Sequence, residues 1–283
     1  MEAIAVVPNK RFVPMHRGGF PQNDLPARYA DAVVEVRPAY LAPPTPRSTA
    51  SAARALRAAR WRATGASPDR EFHHPESEST VVVAAFSSER SQDALVASGP
   101  GWQATFSARV PDEVLAHAVA ALVDHAEHGS AGADTEAALA GLVEAGWSGA
   151  HRRAGTVEAI APGSLAEVLW GPDEDTGQPT MRILAGSPHG FPWYAELRGT
   201  ACPALLTEAV LAALASPAPA RRRLRDIPAG QLQDLDIAPA NPRTTAATAT
   251  TPGMSAAARA ATPGTPILSS PAPPATSPTR RTR

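Results

Sequence analysis

The sequence predicts an α+β fold of two tandem units, each a helix, an antiparallel sheet of three to four strands and a second helix, followed by a disordered tail. Three observations predict it. Landmark residues recur in the same order at a displacement of 86 to 92 residues. Each recurrence passes from helical to strand periodicity and back. From about Ile237 onward the chain is mostly Pro, Ala, Thr and Ser, with little to bury.

The recurrence is read from the tryptophans. "ALRAARW" ends at Trp61 and "GLVEAGW" at Trp147, with Leu56 and Leu142 five residues earlier in each case. Trp102-x-Ala104-x-Phe106 matches Trp193-x-Ala195-x-Leu197, and Pro111 matches Pro203. Leu122 and Leu214 follow those prolines at equal distance. The expected boundaries are an irregular segment over 1–30, a first unit over 31–130, a second over 131–226 and a basic tail over 227–283.

Near the start of the first unit, "ADAVVEVRPAYLAP" (Ala30–Pro43) offers a strand to join the first sheet. Ser51–Trp61 reads as a helix, and "STVVVAAF" (Ser79–Phe86) is β-branched and apolar, after a turn at "HPESES". In Trp102–Ser107 the apolar residues alternate with Gln103, Thr105 and Ser107, the period of a sheet with one buried face. Pro111-Asp112-Glu113 then opens a helix, with carboxylates at the positive dipole end. In the second unit Thr135–Trp147 reads as a helix. "LAEVLW" and "TMRILAG" flank "GPDEDTGQP" as a hairpin, and "CPALLTEAVLAAL" closes with a helix.

Hydrophobic residues make up 43% of the chain, enough for a core, although alanine supplies much of it. The net charge of −1 gives no global bias toward nucleic acid or membrane. The charge is unevenly placed: Arg243, Arg259, Arg280, Arg281 and Arg283 have no acidic residue among them from Asn241 onward. Lys10 is the sole lysine, a skew that with abundant Ala and Pro reads as a GC-rich genome. One cysteine excludes an intramolecular disulfide. No signal-like start and no apolar run of membrane length is present, so a cytoplasmic protein is expected.

The motifs of common chemistry are absent. A sole Lys10 leaves no Walker A sequence, and "GSPHG" (Gly186–Gly190) lacks the spacing of a nucleophile elbow. Cys202 before Pro203 is either a thiol activated by a helix dipole or a small filler at a helix cap, and the filler is favoured. His117, His125 and His128 are a candidate zinc stripe, weighed against histidines that simply suit a helix C-terminus. "EFHHPESE" gathers ligand types without ligand spacing. Asp173, Glu174 and Asp175 read as a solvated hairpin tip, and the tryptophans as core in preference to base-stacking platforms. Two arginine runs remain, Arg54–Arg62 and Arg221, Arg222, Arg223, Arg225, the latter following the last helix.

"VRPAYLA" (Val36–Ala42), the helix ending at Trp61 or Trp147, the W-x-A strand and "LASPAPARR" (Leu214–Arg222) together resemble the SPDY-domain family of actinobacteria, which often carries its domain twice. The resemblance implies a domain of unknown function and brings no reaction with it. The family's Ser-Pro-Asp-Tyr turn is replaced here by "HPES" (His74–Ser77) and "GPDE" (Gly171–Glu174). The expectation is a non-enzymatic binding module without cofactor or metal, whose partner is a protein. The alternative is a nucleic-acid-associated protein that grips phosphates through Arg221–Arg225 and the tail.

Overall fold

A computed structural model describes residues 3–6, 12–15, 31–64, 70–83, 93–129, 135–153, 155–186, 192–232 and 234–240. Residues 1–240 form one unit; 241–283 lie outside the described residues.

Strands β1 (Ala3–Val6) and β2 (Phe12–Met15) pair antiparallel within the segment expected to be irregular. After β3 (Val33–Arg37) comes helix α1 (Ser48–Ala58), then a five-strand meander: β4 (Arg62–Thr64), β5 (Arg70–His73), β6 (Thr80–Val83), β7 (Asp93–Gly99) and β8 (Trp102–Ser107). Helix α2 (Asp112–His128) closes the set. A second run of elements follows: α3 (Thr135–Glu144), β9 (Ser148–Arg153), β10 (Thr156–Ile160), β11 (Ala166–Pro172), β12 (Pro179–Ala185), β13 (Trp193–Arg198) and α4 (Ala204–Ala215). Short strands β14 (Ala220–Arg223) and β15 (Asp236–Pro239) end the unit.

The α+β class stands, and the two runs of strands pair with each other instead of staying as separate sheets of three to four strands. All ten meander strands form one antiparallel sheet in the order β4-β5-β6-β7-β8-β13-β12-β11-β10-β9. The two tryptophan strands meet at its centre, where each closes the other's free edge. Their register is symmetric: Thr105 pairs with Glu196, Ala104 with Leu197, and Phe106 with Ala195. On either side of the Thr105–Glu196 pair an alanine therefore faces a large apolar side chain, which fills the space evenly without overpacking.

Alternation then decides the faces. Trp102, Ala104, Phe106, Leu95, Ala97, Val81 and Phe72 are buried, as are Trp193, Ala195, Leu197, Met181, Ile183 and Val168. Helices α1, α2, α4 and α3 pack side by side in that order, and their apolar faces belong to the same core. Leu56 and Leu142 are both fully buried, which fixes α1 and α3 through corresponding side chains.

The helix ends correspond as well. The N–H of Trp61 donates to the carbonyl of Leu56, and that of Trp147 to Leu142, each at 3.0 Å. Such a reversal needs a left-handed residue at its end. Gly146 supplies it with φ +91°, and Arg60 must adopt φ +64° in the same place. Pro111 and Pro203 cap α2 and α4 with φ near the ring's own preference, −59° and −58°.

Two expected placements are corrected. Strand β3 does not join the first unit's meander; it is the centre of a separate sheet, β14-β3-β15. Order also continues past residue 227, because Ile227 and Leu235 are buried and β15 needs β3 as its partner. The described chain extends to Ala240.

Because Arg60 is exposed and left-handed, Arg60→Gly removes side-chain strain at little packing cost. The variant is expected to be more stable by about 0.5 kcal/mol in urea unfolding, net of glycine's extra chain entropy. The same change at exposed Arg54, inside α1, is expected to destabilise by about 1 kcal/mol.

Candidate interaction surface

Opposite the helices, the sheet presents its second face, and its two halves are built differently. Over β6, β7 and β8 this face carries Thr80, Val82, Val96, Ser98, Gln103 and Thr105, all short or neutral and all half-buried. Over β12 and β13 it carries Arg182, Leu184, Tyr194 and Arg198, all exposed, with Glu196 half-buried between them. Leu184 is 54% exposed and pairs across the ladder with Tyr194. A low, mostly neutral floor, with Asp93 at its end bonded to Tyr194, thus adjoins a raised, mixed-charge shelf.

The shelf's charges are already partnered. The Arg182 guanidinium donates through Nε to Glu196 at 3.2 Å and forms an ion pair with Asp173. Arg198 approaches Glu196 at 3.7 Å and donates to the Gln103 side chain, crossing from β13 to β8. The Tyr194 hydroxyl donates to Asp93; this bond and partial burial push the phenol up to about 12. The Tyr194 backbone N–H donates to the Ser107 hydroxyl at 3.0 Å, a further tie between the two central strands.

Asp173 organises the β11–β12 turn, so the predicted hairpin tip is a capping element. Its carboxylate accepts the backbone N–H and the hydroxyl of Thr176, each at 3.0 Å, and the N–H of Asp175 at 3.2 Å. The Thr176 bonds, helped by Arg182, hold it below the usual carboxylate range. Glu174 and Asp175 are exposed beside it.

The arginine run after the last helix lies in strand β14 and, for Arg225, in the 3-10 turn Leu224–Asp226 that follows it. Arg222 points inward, its side chain 2% exposed, and forms a two-pronged ion pair with Glu113 at 2.7 and 2.9 Å. Its Nε donates to the Pro43 carbonyl. Arg223 and Arg225 both reach Asp31, at 3.7 and 2.8 Å, and Arg221 lies opposite Glu35 in the ladder. Beside Glu113, Asp112 accepts the Thr45 N–H at 2.8 Å and the Thr45 hydroxyl; burial still raises its pKa. Thr45, Asp112, Glu113 and Arg222 therefore clasp the chain after β3, the start of α2, and β14. Neither half of the Glu113–Arg222 pair signals the other in sequence.

The histidine stripe is not gathered. Exposed His117 bonds through Nδ1 to the Glu113 carbonyl at 2.8 Å, and His128 pairs with Asp124 at 2.9 Å. His125 sits edge-on to Trp102, with ring centroids 6.3 Å apart, and burial lowers its pKa. Among the described residues no three His, Cys, Asp or Glu side chains form a metal site. In "EFHHPESE", His74 is buried edge-on against Trp61 at 5.3 Å while His73 turns to Glu71 at 3.3 Å. Trp102 and Trp193 face the core, and the Trp193 indole N–H donates to the Tyr40 carbonyl at 2.8 Å. Arg54 is exposed on α1 and Arg57 lies over the Phe72 ring at 5.7 Å. Of "GSPHG", only Gly186 lies within the described residues.

Cys202 corresponds in place to Val110. Each precedes the helix-capping proline, and each N–H donates to a residue three back, Gly199 and Ser107. Val110 is buried, so the position is a packing site. Burial pushes the Cys202 thiol up to about 11, opposite to the lowering that the activated-thiol alternative requires. A groove of about 540 Å³ on the helix layer, between α2, α3 and α4, is lined mainly by Ala137, Ala138, Gly141 and Ala212, with His117 at its rim.

The turn correspondence also changes. The His74 N–H donates across to the Ser79 carbonyl, and the Ala161 N–H to the Ala166 carbonyl, so Pro75 matches Pro162 and not Pro172. In the sequence, Ser67-Pro68-Asp69-Arg70 keeps three letters of the Ser-Pro-Asp-Tyr run; its first three residues lie outside the described residues, and Arg70 begins β5.

Against known proteins, residues 90–127 match the family model SPDY, a domain of unknown function (DUF317). The match spans β7, β8 and nearly all of α2, and so includes the first tryptophan strand. No curated protein matches the chain significantly, and neither does any solved structure. Among the described residues no helix is long and apolar enough to cross a membrane.

Two outcomes follow from the buried groups. Glu113→Ala leaves the Arg222 charge buried without its partner and is expected to cost about 3 kcal/mol in urea unfolding. Combining Glu113→Leu with Arg222→Met removes both charges and should recover most of that loss. For Cys202, only about a thousandth of the thiol is ionised at pH 8 if its pKa is about 11, so iodoacetamide should react far more slowly than with an unfolded control. The rate should climb as pH rises toward 11, and a plateau below pH 9 would contradict the burial argument.

Proposed function

We propose that the chain is two copies of one α+β module, joined through their last strands, that act as a non-enzymatic protein-binding scaffold. The observation that carries this reading is the divergence of the outer face. Where the ladders correspond, the helix-facing positions stay apolar: Leu95 and Met181, Val81 and Val168, Ala104 and Ala195, Phe106 and Leu197. On the other face, Val96 corresponds to Arg182, Ser98 to Leu184, and Gln103 to Tyr194. Folding requires the first set, and the second is free to specialise. Exposed Leu184 and Tyr194 amid satisfied polar groups make an apolar anchor with a polar rim, the anatomy of a protein-binding patch.

The arginine-rich, single-cysteine composition supports an actinobacterial origin and a reducing cytoplasm. A second reading rests on the tail: its five arginines have no acidic residue among them, unlike the run over Arg221–Arg225. On that reading phosphate binding would belong to residues 241–283, and a chain ending at Ala240 would lose it. A salt titration on duplex DNA with both chains tests this.

The primary reading is tested in cells with a photo-crosslinking amino acid at Tyr194 or, on the exposed side of α2, at Ala116. Discrete adducts are expected from Tyr194 and none from Ala116. Equal adducts from both positions, or none from Tyr194, overturn the assignment of the sheet face.

A further inference from the structure

Resting on the sheet-face reading, we propose that the occupant of that face is a second copy of this chain, docked face to face about a two-fold axis. The first argument is shape. An isologous contact requires one surface to be complementary to itself. This face meets the requirement because its two halves are unlike. An axis through the centre of the sheet lays the raised shelf of one copy (Arg182, Leu184, Tyr194, Arg198) over the floor of its partner (Thr80, Val82, Val96, Ser98, Thr105). Each copy contributes one shelf and one floor, so the contact occurs twice and closes.

Area is the second argument. The five strands that carry shelf and floor, spaced at ~4.8 Å with about five residues each at ~3.3 Å, give roughly 400 Å² of sheet plane per copy. Counted over both copies and enlarged by side-chain relief, this reaches the lower range of specific interfaces. Facing sheets pack ~10 Å apart and interdigitate, which suits long side chains laid over short ones.

Desolvation supplies the third. A shelf bearing lone charges would resist burial against a mostly neutral floor. Here Arg182 is held by Glu196 and Asp173, and Arg198 by Glu196 and Gln103. The charges enter the contact as closed pairs, while Leu184 and Tyr194 provide the apolar contact.

Sedimentation velocity on the full chain, over about a hundredfold range of concentration, tests the proposal alongside Leu184→Arg and Val96→Arg. Leu184 is exposed and Val96 half-buried, and far-UV circular dichroism checks that both variants fold. The expected result is a dimer whose dissociation weakens at least about tenfold in each variant, one acting through the shelf and the other through the floor. A wild-type monomer throughout overturns the proposal, and so does a dimer that both folded variants leave intact. A monomer that still yields Tyr194 adducts with other proteins fails this inference alone and leaves the binding-face reading standing.

Discussion

The antiparallel pairing of β8 with β13 is the constraint on which the rest of the structure depends. Each of these strands would otherwise be an unpaired edge beside a buried tryptophan, a liability for a small module. Pairing them puts Ala104 against Leu197 and Ala195 against Phe106, so volumes match on both sides of the Thr105–Glu196 pair. Helices α2 and α4, which leave these strands through Pro111 and Pro203, are thereby brought into direct contact. One core results, not two, and its size is what makes short meanders with an alanine-rich composition tenable.

The clasp around Glu113 is the second organising interaction, and it is electrostatic. Arg222 is almost completely buried, so its charge requires full hydrogen bonding, which Glu113 and the Pro43 carbonyl supply. These contacts join segments separated widely in sequence and hold the β14-β3-β15 sheet to the start of α2. The neighbouring arginines are drawn into the same arrangement through Asp31. A run that is basic in sequence is thus partly neutralised in the fold, by Glu113 at Arg222 and by Asp31 at Arg223 and Arg225.

Legibility in the sequence followed the physics of each element. The tryptophan strands, the proline-capped helices and the β11–β12 hairpin were readable because period, cap and turn residues act over a few neighbours. Strands β4 and β9 were not: "RAT" and "SGAHRR" are polar edge segments that owe their strand form to β5 and β10 beside them. Strand β14 was hidden for the same reason, because its partner β3 lies nearly two hundred residues away. Arg60 had no local signature either, since only comparison with Gly146 identifies it as a left-handed helix end. The candidate surface was the least legible feature, because it consists of alternate positions gathered from strands of both halves.

That gathering bears on where function can reside. The helix-facing side of the sheet has no latitude: a Cβ on Gly99 would meet the Trp102 indole at 2.4 Å, and one on Gly199 would meet the Gly101 carbonyl at 2.1 Å. Tight packing of this kind fixes shape and excludes a ligand. The helix layer's groove is lined by small residues, with His117, Glu208 and Ser216 as its polar groups. The outer sheet face combines the remaining ingredients, a rigid backbone grid with side chains that can vary at no cost to the fold. It already differs between halves that are otherwise built alike. A surface free to differ, on a scaffold that is not, is where selection for recognition can act.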